Sequence, residues 1–546
     1  MGAFNKVRQF RMYTAAVIIC ALTVFAPRCY AQQQALQEPA FTIQGFLVEG
    51  NTLLPPAVIQ NELEGIIGPD KKASDVETAR EALEKLYHSK GYPTVVVSIP
   101  EQSVQEGIIR LAVSESKIAK VTTSGNRYAT GEKILKGLPS IKPGVIPYVP
   151  EVQKEFGKTN ENPDLKVTPS ITQGSEQGTV DVALNVEDTL PLHPSLELSN
   201  RASPNTTDLR LNAVIHYDNL WQMNHSLSLQ YQVSPEDPSE VEVGAVAYSL
   251  PAPWNQDHLI LFTAIWSDSN TATGEGFLTV GNGHQFGMRY VLPLPAVTNY
   301  SQNIILGVDY KDFRNLPLQL TKSSSSKSSG ENPPVTYFPL SFAYSSYLSD
   351  PHGVTQFSTG LNMAFRGLIS DEKDFTENRS DARGNYLYAT GSLQRTQDLF
   401  AGLKLLVKAD GQVSDSPLIN NEEYSGGGID NVRGYHETEA LGDCAEHCTI
   451  QLVGPDVAAS HGLGDGKLQC TPYVFYDEAH LYVLDPLPGQ KDMFDLEGTG
   501  IGVKGLYNKC VEYETCWGHA MSTAQTSPGY VRAGENRVHF RVKYLY

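Results

Sequence analysis

The chain has 546 residues, a formal net charge of −19 and seven cysteines, two of them in the first 31 positions. That length calls for two or more domains. So acidic a chain offers no basic face, which excludes nucleic acid as a partner.

The first predicted element is an export address. Lys6, Arg8 and Arg11 precede an apolar run from Tyr13 to Phe25, and Cys29-Tyr30-Ala31 places small residues where a signal peptidase reads. A signal peptide over residues 1–31, cleaved after Ala31, is expected. The run is too short to anchor across a hydrocarbon core of about 30 Å. Arg28 directly before Cys29 argues against a lipoprotein signal. The address carries four basic residues and no acidic one, so the mature chain is more acidic still. No later stretch reaches the roughly 18 consecutive apolar residues of a spanning helix. A secreted soluble protein and a β-barrel both remain open.

A short segment, 32–40, leads into two small α/β modules. In the first, 41–115, Phe41 to Val48 alternates as a strand with a slip at Gly45, and Glu49-Gly50-Asn51 is a turn. Pro55 and Pro56 open a helix that carries Val58, Ile59 and Leu63. A second helix starts at Ser74, with Ser74 and Glu77 as a capping box. Its stripe of Val76, Ala79, Leu83, Leu86 and Tyr87 faces a core, and Gly91 ends it. Strands over 95–102 and 107–113 follow. The pattern restarts over 116–190. A strand at 118–123 is followed by Ser124-Gly125-Asn126, a poorly patterned stretch with Ile134, Leu135 and 152–156, and strands at 165–171 and 178–186. The Gly50 and Gly125 turns lie about 75 residues apart, which suits a duplicated module. Pro191, Pro194 and the polar stretch to Pro204 mark the expected boundary.

From Ser195 onward alternation replaces helical periodicity. Leu209, Leu211, Ala213, Ile215 and Tyr217 alternate with Arg210, Asn212, Val214, His216 and Asp218. In the last segment Val538, Phe540, Val542, Tyr544 and Tyr546 alternate with His539, Arg541, Lys543 and Leu545. Aromatics on one face and charges on the other fit a lipid-facing band around a wet lumen. The 27 tyrosines fit interface girdles better than a dry core. The expected fold class is a transmembrane antiparallel β-barrel over 195–546, behind the two α/β modules. At roughly 22 residues per strand and connection it holds about 16 strands. Two connections are long and are expected to face outward, the Ser-rich stretch 322–334 and the Gly-rich stretch 417–466.

The mature cysteines all fall late, at Cys444, Cys448, Cys470, Cys510 and Cys516. In an oxidising compartment Cys444 with Cys448, and Cys510 with Cys516, are candidates for local disulfides, with Cys470 left over. Cys444, His447 and Cys448 lack a second ligand pair at zinc-finger spacing, so no metal is expected. The chain has no G-x-S-x-G, H-E-x-x-H or G-x-x-x-x-G-K-[ST]. No catalytic residue, cofactor or enzymatic activity is expected.

One loop carries a family resemblance. Gly426-Gly427-Gly428-Ile429-Asp430-Asn431-Val432-Arg433-Gly434-Tyr435, followed by Gly442-Asp443, resembles the V-R-G-[FY] tip of the inward-folded sixth extracellular loop of two-partner secretion transporters (the TpsB family) and of the related outer-membrane assembly factors. Phe475-Tyr476-Asp477 resembles the F-x-D motif of the barrel strand facing that loop, and Gly500-Ile501-Gly502 the strand after it. The N-terminal modules resemble POTRA domains, most closely at Ile99-Pro100-Glu101-Gln102 with Gly107 after it.

The resemblance implies an outer-membrane pore with its POTRA modules in the periplasm. They would bind a large secreted exoprotein (TpsA-like) in unfolded form; outer-membrane lipid would surround the barrel, and the protein would be a monomer. It implies a pair between Arg433 and Asp477, a tight turn at Gly434, and packing from Val432, Tyr435 and Phe475. The alternative is a barrel-assembly factor of the same superfamily, which usually carries more POTRA modules. A passive porin needs no such modules. Many family members begin with a pore-plugging helix. The stretch 32–40 is too short for one, since a plug of about 30 Å needs about 20 helical residues. The long Cys-bearing connections are then candidates for closing the pore.

Overall fold

A computed structural model describes residues 40–103, 107–176, 178–269, 282–313, 334–367, 369, 371–525 and 529–546. The expected signal peptide and nearly all of the Ser-rich 322–334 stretch lie outside the described residues. Two compact units emerge: Met1–Asn126 with Ile134–Glu187, and Arg127–Lys133 with Asp188–Tyr546.

In the first unit, β1 (Phe41–Ile43) and β2 (Gly45–Glu49) are split at Gly45. Helix α1 (Pro56–Leu63) starts on its proline, where the missing N–H costs nothing. A short β3 (Gly68–Lys71) pairs with β1. Helix α2 (Ala73–Ser89) buries Val76, Ala79, Leu83 and Tyr87 of the stripe read from its spacing, and its fifth member, Leu86, packs against them half-buried. Its cap differs from the expected Ser74–Glu77 box. The helix starts one residue earlier, and the Asp75 carboxylate accepts from the Lys72 N–H at 2.7 Å. Strands β4 (Val95–Ser98) and β5 (Ile108–Glu115) complete a sheet in the order β2-β5-β4, with β2 parallel to β5. Ile43, Ile59, Leu83, Tyr87, Val97 and Leu111 form the core between helices and sheet.

The design repeats. Strand β6 (Lys117–Ser124), helices α3 (Gly131–Gly137) and α4 (Val149–Thr159), and strands β7 (Leu165–Gln173) and β8 (Thr179–Asp188) give a sheet in the order β6-β8-β7, again with a parallel central pair. The correspondence reaches single atoms. Gly50 and Gly125 both take positive φ, and a Cβ on either would stand 2.4 Å from a strand carbonyl oxygen, that of Val113 or Val186. Two residues after each carbonyl, Glu115 or Asp188 caps the backbone N–H groups that follow the turn.

The second unit is a closed antiparallel barrel. Its strands are β9 (Leu192–Ser199), β10 (Arg210–Leu220), β11 (His225–Val233), β12 (Val241–Ala252), β13 (Asn255–Ser269), β14 (Gly283–Pro293), β15 (Tyr300–Phe313), β16 (Val335–Tyr337) running into β17 (Leu340–Asp350), β18 (Gly353–Met363), β19 (Leu387–Asp398) and β20 (Lys404–Ser414). After the short loop pair β21 (Tyr424–Gly426) and β22 (Ala440–Gly442) come β23 (Cys444–Val453), β24 (Thr471–Tyr482), β25 (Met493–Tyr507), β26 (Val511–Ala520) and β27 (Asn536–Leu545). Counting β16 with β17 gives the 16 expected strands, and β27 closes the cylinder on β9. Along β27, Val538, Val542 and Tyr544 face outward and exposed, while His539 is buried inside.

Two expectations change. The proline-marked boundary holds the first barrel strand: Pro194 lies within β9, opposite Ile215. The Gly-rich 417–466 stretch is not one connection, because β23 runs through it and splits it between opposite ends of the barrel. One end carries long connections, including helix α5 (Glu372–Asn378) and, sixth in order, residues 415–443, called loop 6 below. The other end has mostly tight turns, with helix α6 (Val457–Ser460) between β23 and β24.

Candidate functional site

Loop 6 leaves the rim as the β21–β22 hairpin neck and folds back into the lumen. Two glycines make the fold possible. Gly427 and Gly428 each have φ of +102°, and a Cβ on Gly427 would meet the His436 carbonyl oxygen at 2.4 Å. Asn431 accepts from the Gly427 N–H at 3.1 Å and donates to the Tyr424 hydroxyl at 2.8 Å. These contacts hold the tip as a compact knot.

At the tip Arg433 meets Asp477 of β24 in a two-pronged pair. Nε donates to Oδ2 and Nη2 to Oδ1, both at 2.7 Å, and the Arg433 backbone N–H donates to Oδ2 at 3.1 Å. The remaining nitrogen, Nη1, donates to Gln451 of β23 at 2.6 Å. The guanidinium lies 3.6 Å from the centre of the Phe475 ring. Asp477 has no exposed surface and Arg433 only 5%. Charges so far from water persist only when nearly every donor and acceptor is matched, and here they are. Phe475 and Asp477 point inward together because they are two apart on one strand.

The tip rests on a floor cleared of side chains. A Cβ on Gly498 of β25 would stand 2.0 Å from the Arg433 carbonyl oxygen, and one on Gly518 of β26 2.6 Å from the Gly434 nitrogen. Gly434 itself has φ of +104° and touches the β26 backbone. Its N–H donates to Nε2 of His539 on β27 at 3.0 Å. Val432 and Tyr435 are fully buried beside it. The Tyr435 hydroxyl sits 2.7 Å from the Ser522 carbonyl oxygen and 3.0 Å from that of Glu497.

The neck is fixed separately. Asp443, fully buried, accepts from Arg379 Nη1 and Nη2 at 2.7 and 2.6 Å and from the Leu418 and Leu484 N–H groups at 2.6 and 2.7 Å. Glu423 takes a second bond from Arg379 at 2.6 Å. Arg379 caps helix α5, whose Phe375 packs with Tyr337, Tyr386, Leu418 and Ile419. Arg201, from the first connection, holds Asp430 and Glu437 on the loop's other side.

The model of the haemolysin secretion/activation protein family ShlB/FhaC/HecB matches residues 178–505, more than half of the chain, and that of the ShlB-type POTRA domain matches 41–116. The chain belongs to this family. The outer membrane transporter CdiB of Dickeya dadantii is 23% identical over 75% of this chain and 71% of its own length. Its counterpart in an Escherichia coli strain is 22% identical over 46% of this chain and 44% of its own. Among solved structures, CdiB from Escherichia coli matches 99% of this chain and 97% of its own, with a TM-score of 0.60 at 17% identity. BamA from Haemophilus ducreyi lacking POTRA domains 1–3 matches 93% of this chain and all of its own, at 0.57 and 13%. These two establish the fold alone; the family membership decides between secretion and assembly. The protein is a two-partner secretion transporter of the outer membrane, with its POTRA-type region in the periplasm. The long connections, loop 6 among them, are then extracellular.

In this ShlB-family transporter the fold brings Val432, Arg433, Gly434, Tyr435, Phe475 and Asp477 into one buried contact, though they span two motifs about 40 residues apart in sequence. The cysteines differ from expectation: all five are free. Cys444 and Cys448 stand four residues apart on one strand, about 13 Å at 3.3 Å per residue, far beyond a disulfide's reach. Cys510 lies in a turn and Cys516 well up β26, six residues on, which separates them by about 20 Å at the same rise. Sequence reading passed over Gln451, Gly498, Gly518, His539 and Arg379. The close-packed glycines of β25 were the available signal, since glycine inside a strand marks an approaching backbone.

Proposed function

We propose that the POTRA-type modules receive the unfolded exoprotein as an added strand, and that loop 6, seated through Arg433 and Asp477, governs its passage through the barrel. The carrying observation is the buried, fully satisfied Arg433–Asp477 pair, which fixes a loop inside the conduit the exoprotein must use. Strand addition is supported by the order β2-β5-β4, which leaves the outer strand β2 bonded on one side only among the described residues, whereas the outer edge of β4 is met by helix α2 through Glu84 and Arg80 at Val97 and His88 at Val95. Leu47 and Val96 remain about half exposed on β2 and β4. Backbone groups at such edges take an extended chain without reading its sequence closely. The stretches 94–113 and 165–186 are the candidate receivers. The barrel closes on its own terminal strands, which supports a monomer.

Arg433→Ala is expected to leave the barrel inserted and to impair secretion. Normal export at normal protein level would overturn the role given to the loop. Deleting the gene and comparing secreted proteins tests the function as a whole. Loss of one large exoprotein supports it, and broad loss of outer-membrane barrels would point to assembly instead.

A further inference from the structure

We infer that His539 is a second positioning residue for the loop 6 tip, binding it to the strand that closes the barrel. The Arg433–Asp477 pair fastens the tip to β24 only. Three strands further round, His539 reaches inward from β27 and accepts the Gly434 N–H on Nε2 at 3.0 Å. A ring nitrogen that accepts carries no proton, so His539 is in its neutral form with the hydrogen on Nδ1. The contact is enclosed, with His539 only 2% exposed, and the bare glycine floor at Gly518 lets the tip backbone come near enough to be reached. The pairing of β27 with β9 is short, running from Arg541 to Leu545 against Ser199 to Ser195. Above it Asn200 continues the seam, bonding the Val538 carbonyl and the Phe540 N–H, and Arg537 reaches Asp208 of the first connection at 3.2 Å. His539 lies at that upper edge. The loop tip thus braces the lumen from β24 to β27, and its position is tied to the closing strand where that strand has least support from β9.

The test uses the full-length transporter with its exoprotein. His539→Leu removes the acceptor at similar bulk, and His539→Gln restores an acceptor oxygen. His539→Phe, which keeps the ring, replaces the leucine variant if that one fails to assemble as a heat-modifiable barrel. The readouts are secretion and single-channel recording in planar bilayers. Expected are a several-fold loss of secretion and more frequent openings for the leucine or phenylalanine variant, with the glutamine variant close to wild type. Wild-type behaviour of the acceptor-less variants, or a glutamine variant as impaired as they are, would overturn the inference. The second result would assign His539 to packing alone.

Discussion

Replacing Arg433 with alanine strips Asp477 of both guanidinium bonds and leaves it one, from the backbone N–H of residue 433. Gln451 loses its partner and Phe475 its stacked cation. Breaking a buried ion pair from one side costs about 3–5 kcal/mol, because a charge is left without compensation. Applied to the docked and lifted states of loop 6, that shifts their ratio by between about a hundredfold and a few thousandfold. Chymotrypsin reads the shift, because Tyr435 is fully buried when docked and becomes a cleavage site when the tip lifts. Where lifting is fast compared with cleavage, the cutting rate follows the lifted population. In detergent-solubilised protein, Arg433→Ala should be cut after Tyr435 at least about a hundred times faster than wild type. Arg433→Ala combined with Asp477→Ala should be cut no faster than the single variant, since the stranded carboxylate is gone. An unchanged rate in the single variant, or independent and additive effects in the double one, would refute the reasoning.

Other outcomes follow from the same contacts. Gly498→Ala puts a methyl 2.0 Å from the Arg433 carbonyl oxygen and should raise cutting at Tyr435 with no charge altered, whereas Gly391→Ala, with nothing within 4 Å, should not. Glu423 shares one guanidinium with Asp443, and burial pushes its carboxyl up to about 7 from 4.5. A folded-state pKa above the unfolded value means its contribution is full below about 4.5 and is lost as pH rises through about 7. The neck should therefore resist thermolysin better at pH 5.5 than at pH 8, and Glu423→Gln should flatten that dependence; an equal slope in the variant would remove Glu423 as its source. Thiol titration of the denatured, unreduced mature protein should give five free thiols, with no change in mobility on reduction. A count of three or one would restore a disulfide.

The parts legible in the sequence were those fixed by short-range chemistry. Helix α2 showed its buried stripe because 3.6-residue spacing survives any tertiary context. The alternation of β27 showed lipid on one side and lumen on the other. V-R-G-Y and F-x-D could be paired through the family resemblance, with which an arginine's need of a fixed carboxylate in a lumen agrees. The rest depends on contacts that no local pattern encodes. Strand β3 is the stretch Gly-Pro-Asp-Lys and pairs only through the backbone. Strand β9 was masked by Pro194, tolerated where the strand lies at the barrel seam. His539 looked like any polar residue of a lumen face, and Arg379 belongs to no motif. Both acquire these partners only when chain segments 39 to 105 residues distant come together.

The glycine floor and the residues that hold the tip also set an order of events. The V-R-G-Y tip of loop 6 precedes, in the chain, the strands that hold it. Asp477, Gly498, Gly518 and His539 follow it by 44 to 105 residues. The seat is therefore complete only when the ten residues of β27 have been laid in place. A barrel missing its final strand would keep the tip's anchor on β24 but leave the Gly434 N–H without its acceptor, so the fully held tip is the mark of a completed barrel.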